Sequence, residues 1–318
     1  MTRRPSVPSG VLAVDKPAGP TSYEVVALVR RRLGARRVGH AGTLDPAATG
    51  VLPILIGEAT KLMGYLADHD KEYRAVVRLG VSTDTQDLSG RVLTERPVPS
   101  LASGDMEPVF ARFTGRIRQT PPMYSALHHE GRRLYELARE GVEVPREPRE
   151  VVVHSIELES VDGPRVTLRV VCGKGTYVRT LAADIGEALG CGAAVETLAR
   201  LRVGPFTVAQ AVPWPDLERG SAEALRERIA APDTALAGWR AVQLDARAAE
   251  AFRHGRGLDG RGHVLPSPAQ PGRDAALVRV HGPDGVLIGV GAVDGQDGRL
   301  RPVRILHADH PRARVLPA

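Results

Sequence analysis

The sequence is poor in cysteine. Only Cys172 and Cys191 occur among 318 residues, so no disulfide framework is available and a reducing compartment fits. Two isolated cysteines make no zinc site and read as small buried residues. Lysine is scarce as well: Lys16, Lys61, Lys71 and Lys174 are the only four, against 39 arginines. No apolar run approaches the roughly 20 residues that span a bilayer. The N-terminal Met1-Thr2-Arg3-Arg4-Pro5-Ser6 is charged, but no apolar stretch of signal-peptide length precedes Asp15. A cytoplasmic protein is expected. Missing motifs exclude two enzyme classes. There is no H-x-E paired with P-C-x-x-C, as a zinc nucleobase deaminase needs. Gly173-Lys174-Gly175 lacks the G-x-x-x-x-G-K-[S/T] frame of a phosphate loop.

What is present is ordinary in amount and unusual in kind. Hydrophobic residues make up 42% and charged residues 25%, the balance of a globular protein with one large domain and one small one. The formal charge of +6 and a pI near 9.7 favour a polyanionic partner. Arginine suits bidentate phosphate contacts and base stacking, although GC-rich codon usage accounts for most of its excess over lysine.

Along the chain, Val11 to Val14 reads as a short strand. Thr21-Ser22-Tyr23-Glu24 reads as a capping box opening a helix to about Leu33, with Val25, Val26, Val29 and Leu33 on one face and Gly34 as its stop. Arg30, Arg31, Arg32, Arg36 and Arg37 crowd its end. They serve either the helix dipole or a phosphate-facing patch. Gly39 to Gly50 is a loop, Val51 to Ile56 a buried strand, Glu58 to Leu66 a helix, and Glu72 to Leu79 an alternating half-buried strand. A polar loop from Ser82 to Gly90, a strand at Val92-Leu93 and a helix from Asp105 to Phe113 follow. Residues 120–150 form a long polar excursion with one short helix, Arg132 to Glu140. Strands Val151–Leu158 and Arg165–Cys172 flank a turn at Asp162-Gly163. Helices are expected at Tyr177–Leu189, at Ala194–Leu201, and peripherally between Pro213 and Ala231. A boundary falls near 231–243. Beyond it the pattern reads as all-β: a hairpin about Gly282-Pro283-Asp284-Gly285, a strand at Leu300–Leu306, and a Gly/Pro stretch at 255–272 that reads as mobile.

One segment stands out. In His40-Ala41-Gly42-Thr43-Leu44-Asp45-Pro46-Ala47-Ala48-Thr49-Gly50, small residues surround Asp45, so a bulky ligand can approach the backbone. Taken alone, an Asp before Pro is more often a turn former or helix cap. With Gly39 in front, the segment resembles the signature G-H-x-G-x-L-D-P-x-A-x-G of the tRNA pseudouridine-55 synthase (TruB) family. Five further segments match that family in order. They are Asp15-Lys16-Pro17, Lys71-Glu72-Tyr73-Arg74, Thr83-Asp84-Thr85-Gln86-Asp87, Pro121-Pro122-Met123-Tyr124-Ser125-Ala126, and Gly173-Lys174-Gly175-Thr176-Tyr177-Val178-Arg179. The resemblance spans residues 10 to about 206.

The resemblance implies an α+β fold: a mixed, largely antiparallel central sheet with flanking helices over residues 1–235, with an RNA-contacting insertion at about 120–150. A small β-barrel of PUA type over 243–318 is implied in addition. It implies a cofactor-free isomerase that flips uridine 55 out of the tRNA T-loop, breaks its N-glycosidic bond, turns the uracil and rejoins it through carbon. Asp45 maps to the catalytic carboxylate, nucleophile or charge stabiliser. Arg179 maps to the arginine that would hold Asp45 by a bidentate pair, and Tyr73 to the tyrosine that stacks on the base and moves a proton. His40 maps to the residue inserted where the base was, and Tyr177 and Leu198 to the uracil pocket. Lys16, Lys174 and Asp87 are supporting candidates.

Each has a bland reading too: Arg179 a structural ion pair, Tyr73 a strand aromatic, His40 a solvated loop residue, Leu198 helix core. Family members carry Lys after Ser-Ala-x in the insertion; here the position is His128, followed by His129, so a phosphate contact there becomes weaker or pH-dependent. Ala251 to Arg256 resembles the opening of the PUA-type module, which would grip the acceptor stem. The implied partner is tRNA through its T-arm and acceptor stem, with a monomeric protein, no membrane and no obligatory protein partner. The rival reading is a nonenzymatic tRNA-binding protein or folding chaperone, which would need no Asp45–Arg179–Tyr73 set. A guide-RNA-dependent relative is disfavoured by the absence of long Lys-rich tails.

Overall fold

The computed structural model of the chain describes residues 7–100, 103–259, 275–294 and 298–307. Its main sheet has nine strands: β1 (Gly10–Lys16), β2 (Val38–His40), β3 (Thr49–Ile56), β4 (Lys71–Leu79), then, after the small paired strands β5 (Val81–Thr83) and β6 (Val92–Glu95), β7 (Gly115–Gln119). A two-residue hairpin, β8 (His128–His129) with β9 (Arg132–Arg133), lies in the insertion. The sheet resumes with β10 (Arg149–Asp162), β11 (Arg165–Cys172), β12 (Ala193–Val203) and β13 (Phe206–Thr207). The path runs β1-β3-β12-β4-β11-β10-β7, with β2 on β3 and β13 on β12. All pairings are antiparallel except β12 with β3, which meet in parallel at Ala199–Thr49 and Arg200–Gly50. The expected mixed, largely antiparallel sheet is therefore present.

Helices flank the sheet. α1 (Ser22–Leu33) begins at the expected capping box: Thr21 Oγ1 accepts from Glu24 N, and Glu24 Oε2 accepts from Thr21 N at 2.7 Å. It ends at Gly34 in the left-handed region, φ 67°. Its Val25, Val26, Val29 and Leu33 are buried, as the periodicity requires. The segment from Gly57 starts as a 3₁₀ turn to Leu62 and becomes α2 (Met63–Ala67). α3 (Ser103–Arg112), α4 (Leu134–Arg139) and α5 (Val178–Ala188) stand near the expected places. α6 (Trp214–Arg219) and α7 (Ala222–Glu227) occupy the expected peripheral region. The insertion is more than a polar loop, because Met123, Leu134 and Leu137 form a small core of their own.

Two expectations fail. The stretch expected as a helix at Ala194–Leu201 is strand β12, in the middle of the sheet. Its Ala, Leu, Glu and Arg favour a helix, but β4 on one side and β3 on the other supply ladder partners for its backbone, and tertiary pairing overrides propensity. Register shifts at Val195/Thr197 and Arg200/Arg202 break the period-2 alternation that would have marked a strand. The C-terminal region is not all-β either. After β14 (Ala241–Gln243) comes α8 (Ala246–Arg253), capped by Asp245, whose Oδ1 accepts from Ala248 N at 2.8 Å. Then β15 (Leu258–Asp259), β16 (Ala275–His281), β17 (Leu287–Asp294) and β18 (Arg299–Ile305) complete a five-stranded sheet in the order β14-β16-β17-β18-β15, curled as a half-barrel of PUA-like kind. The hairpin at 282–285 forms as expected. Most of the Gly/Pro stretch at 255–272 lies outside the described residues.

The two regions share a core. Leu287, Val290 and Leu306 from the C-terminal region belong to the same buried cluster as Leu62, Leu66, Phe206, Leu236 and Trp239. Polar ties reinforce it. Lys61 Nζ donates to Ile305 O at 2.8 Å and Glu58 accepts from His307 N at 3.0 Å. Asp233 pairs with Arg279 at 2.9 Å and His281 at 3.0 Å. Burial pushes Asp233 upward, but those two partners outweigh it and hold its carboxyl below the usual range. No helix among the described residues is long and apolar enough to cross a membrane.

Candidate active site

The site lies at the parallel junction of β3 and β12, where the loop carrying Asp45 returns to the sheet. Gly50 is obligatory there. Its φ is 101°, and a Cβ would stand 2.1 Å from Arg200 O. The turn between β1 and α1 forms a shelf under the loop. Ser22 Oγ accepts from Leu44 N at 2.9 Å and donates to Leu44 O at 3.0 Å. Gly19 N donates to Pro46 O at 2.8 Å, and Lys16 Nζ donates to the same oxygen at 3.1 Å. The segment from Asp15 to Tyr23 thus fixes the backbone on both sides of Asp45, whose side chain stays 38% exposed.

From the opposite side, α5 delivers Arg179. Its guanidinium is 5% exposed and fully engaged: Nε donates to Asp45 Oδ2 at 2.8 Å, Nη1 to Thr85 O at 2.6 Å and Nη2 to Tyr124 O at 2.8 Å. The expected bidentate fork is therefore not what forms. One nitrogen holds the carboxylate while the two terminal nitrogens anchor the arginine to the 83–90 loop and the insertion. The other carboxylate oxygen of Asp45 takes no part in that bond. Asp87 Oδ2 stands 4.0 Å from Arg179 Nε, and its Oδ1 accepts from Thr85 Oγ1 at 2.8 Å and Ser89 N at 3.0 Å.

Tyr73 lies on the buried face of β4, 8% exposed, and Tyr177 caps the start of α5. Burial raises both phenols above their usual range, and the Asp45 charge adds to that in each case. Both phenols therefore stay neutral at pH 7. Tyr177 is held at its backbone by Gln119, which donates to its carbonyl at 3.1 Å and accepts from its N–H at 2.7 Å. His40 ends β2 with Nδ1 buried and without a hydrogen-bond partner. Burial, then the nearby Arg200 charge, lowers its pKa and favours a neutral ring. Lys16 is fully buried. Burial lowers its pKa to about 8, against the opposing pull of Asp45. Leu198, on β12 opposite Ala75, packs half-buried against the main core.

The structure thus brings together Asp45, Arg179, Tyr73, Tyr177, His40, Lys16, Asp87 and Leu198. Lys174 stands apart: its exposed ammonium pairs with Asp68 at 2.8 Å. An open hollow of about 760 Å³ bordered by Arg78, Leu88, Val98 and Arg165 contains none of these residues. Sequence reasoning does not reach Ser22, Gln119 and Arg200. Ser22 reads there only as part of the capping box, and a helix over 194–201 gives Arg200 no face toward the site. No group of three or more metal-ligating side chains occurs among the described residues. What remains is a half-exposed carboxylate with one oxygen held, two neutral phenols, a neutral imidazole and a buried ammonium. That set can stabilise or attack an electrophilic carbon and move protons.

Comparison with known proteins accounts for almost all of the chain. The profile of the "TruB family pseudouridylate synthase (N terminal domain)" matches residues 30–178, that of the "tRNA pseudouridylate synthase B C-terminal domain" matches 179–237, and "Pseudouridine synthase II TruB, C-terminal" matches 241–306. The chain belongs to the TruB family of pseudouridine synthases. It is 43% identical over 304 residues to the tRNA pseudouridine synthase B of Pseudomonas aeruginosa, covering 94% of this chain and 96% of that one. It is 47% identical over 298 residues to that of Aromatoleum aromaticum, covering 93% and 92%. Among solved structures it resembles an archaeal box H/ACA Nop10–Cbf5 complex at 26% identity and a TM-score of 0.71, covering 96% of this chain and 89% of that one. This chain therefore shares its fold with a chain of that complex.

Proposed function

We propose that this TruB-family chain converts uridine 55 in the T-loop of tRNA to pseudouridine. The observation that carries the reading is the buried Arg179 holding one oxygen of a half-exposed Asp45 at 2.8 Å, inside the segment that resembles the family signature. The family relationship and the names of its relatives support an enzyme acting on tRNA. A nonenzymatic binder has no use for a carboxylate oriented this way beside two neutral phenols.

The uridine leaves the loop stack at a cost of a few kcal/mol and enters beside Asp45. His40, neutral and with an unused Nδ1, fills the vacated position. Tyr177 and Leu198 border the uracil. Asp45 attacks or electrostatically supports the reacting centre as the N-glycosidic bond breaks. Tyr73 stacks on the freed base and takes part in the proton transfer that follows C–C bond formation, a contribution typically worth about 10²–10⁴-fold. Arg179 and Asp87 keep Asp45 oriented, and Lys16 offsets its charge. Lys174 has no part in this set.

The half-barrel and the insertion extend the contact to the acceptor stem and T-arm. The chain works as a monomer without a protein partner, unlike its structural neighbours, which are complexes. The test is incubation with unmodified tRNA transcript followed by mapping of pseudouridine by position. Product at position 55, abolished by Asp45→Asn, supports the reading; no product, or product elsewhere, refutes it.

A further inference from the structure

Arg200 is the largest almost wholly buried side chain among the described residues, 1% exposed. Buried arginines normally meet a carboxylate, because an unneutralised charge out of water is costly. Arg200 meets none among the described residues. Its guanidinium is held by neutral carbonyls: Nε donates to Val51 O at 2.9 Å, Nη2 to Gly42 O at 3.2 Å and Nη1 to Thr43 O at 3.5 Å. Those oxygens belong to the loop that carries Asp45 and to the strand after it. The backbone of Arg200 is paired directly across from Tyr73 in the β12–β4 ladder, so the two side chains leave the same face of the sheet side by side.

We propose that Arg200 is a positioning residue that acts through Tyr73: a fixed, unneutralised cation, anchored by three loop and strand carbonyls, that holds and polarises the tyrosine hydroxyl beside Asp45. This rests on the function proposed above and names a residue it did not use. The anchoring explains why an arginine stands there. Three carbonyls from two segments need a planar donor with several N–H groups, and a lysine would reach one of them. The absence of a carboxylate leaves the charge available to the phenol, which is drawn down by Arg200 as a neighbouring charge and as a donor against the effect of burial. The same charge is felt at Lys16, His40 and Lys71, so the field of Arg200 extends through the site.

The test is a double-mutant cycle on the full chain with tRNA transcript, read as single-turnover rate at saturating enzyme and, separately, as tRNA affinity. Arg200→Lys should slow the step by about 10- to 100-fold, as loss of precise positioning does, while affinity changes by less than about threefold. Arg200→Gln, which keeps a planar donor but no charge, should be slower than Arg200→Lys. In a Tyr73→Phe background the same substitutions should cost less than about threefold, because the group they act through is gone. If the full cost persists in Tyr73→Phe, or appears in affinity rather than rate, Arg200 does not work through Tyr73 and the inference is overturned. It is overturned too if neither Arg200 variant folds, since the residue is then structural. An inactive wild type, or an undiminished Asp45→Asn, would instead count against the proposed function itself.

Discussion

Deleting residues 241–318 should destabilise the part of the chain that holds the whole candidate site. Leu287, Val290 and Leu306 are at most 5% exposed in a cluster with Leu62, Leu66, Phe206, Leu236 and Trp239, so their loss uncovers the far face of that cluster. Burying one such side chain stabilises by roughly 1.5–3 kcal/mol, and three amount to about 5–9 kcal/mol. Domains of this size are stable by only about 5–15 kcal/mol in total. Asp233 also loses both Arg279 and His281. At about 2–4 °C per kcal/mol for a chain of this length, the melting temperature should fall by roughly 10 °C or more. Calorimetry of the full chain and of a fragment ending at residue 240 measures this directly. The full chain should unfold in one transition. A fragment melting within about 3 °C of it, a shift of about 1 kcal/mol, would refute the shared core. The chemistry should behave differently. Every residue placed at the site precedes 206, so a fragment kept folded in the cold should still convert a T-arm stem-loop at a similar single-turnover rate while binding whole tRNA less well. A folded fragment that binds the stem-loop and does nothing would show that the C-terminal region completes the site.

Asp45→Asn should abolish pseudouridine formation while leaving the fold and tRNA binding in place; a position-resolved assay showing near-normal turnover would end the carboxylate mechanism. Treatment with EDTA should leave the rate unchanged, and activity that is lost and then restored by a transition metal would contradict a cofactor-free reaction. Affinity for tRNA should fall steeply with salt, and Arg→Ala at exposed Arg36 or Arg133 should flatten the slope by about one unit for each phosphate no longer neutralised. Arg37 and Arg132, already paired with Glu58 and Glu140, should matter less, and equal effects at all four positions would mean that those pairs open freely on binding. Lys16 titrates near 8 in the fold against 10.5 when free. The rate should therefore decline as pH rises through about 8 and hold up in Lys16→Arg, which stays charged; superimposable profiles would exclude Lys16. Because only the unfolded chain keeps that proton between about 8 and 10.5, the Lys16 contribution to stability should rise with pH across that window, and a Lys16→Met chain should lack the rise.

The order of elements, the first helix with its caps, the buried β3, the alternating β4 and the segments that meet at Asp45 are all legible in the sequence, because each is written in local chemistry. A capping box, a left-handed Gly, a period of two or an ordered set of short motifs needs no knowledge of what lies across the fold. Tertiary structure decided what depends on neighbours. Residues 193–203 carry helix formers yet become a central strand, because two flanking strands leave unpaired backbone that only a strand can satisfy. That pairing places Arg200 beside Tyr73 and Leu198 at the site. Arg179 holds Asp45 through one nitrogen because the 83–90 loop and the insertion, distant in sequence, claim the other two. Lys174, within a matching motif, is turned to Asp68 instead. The two regions share one core because β17 and the segment after β18 bring apolar side chains to a face that residues 11–66 leave uncovered. Periodicity tells which residues want to leave water; only the assembled chain determines which surface they leave it for.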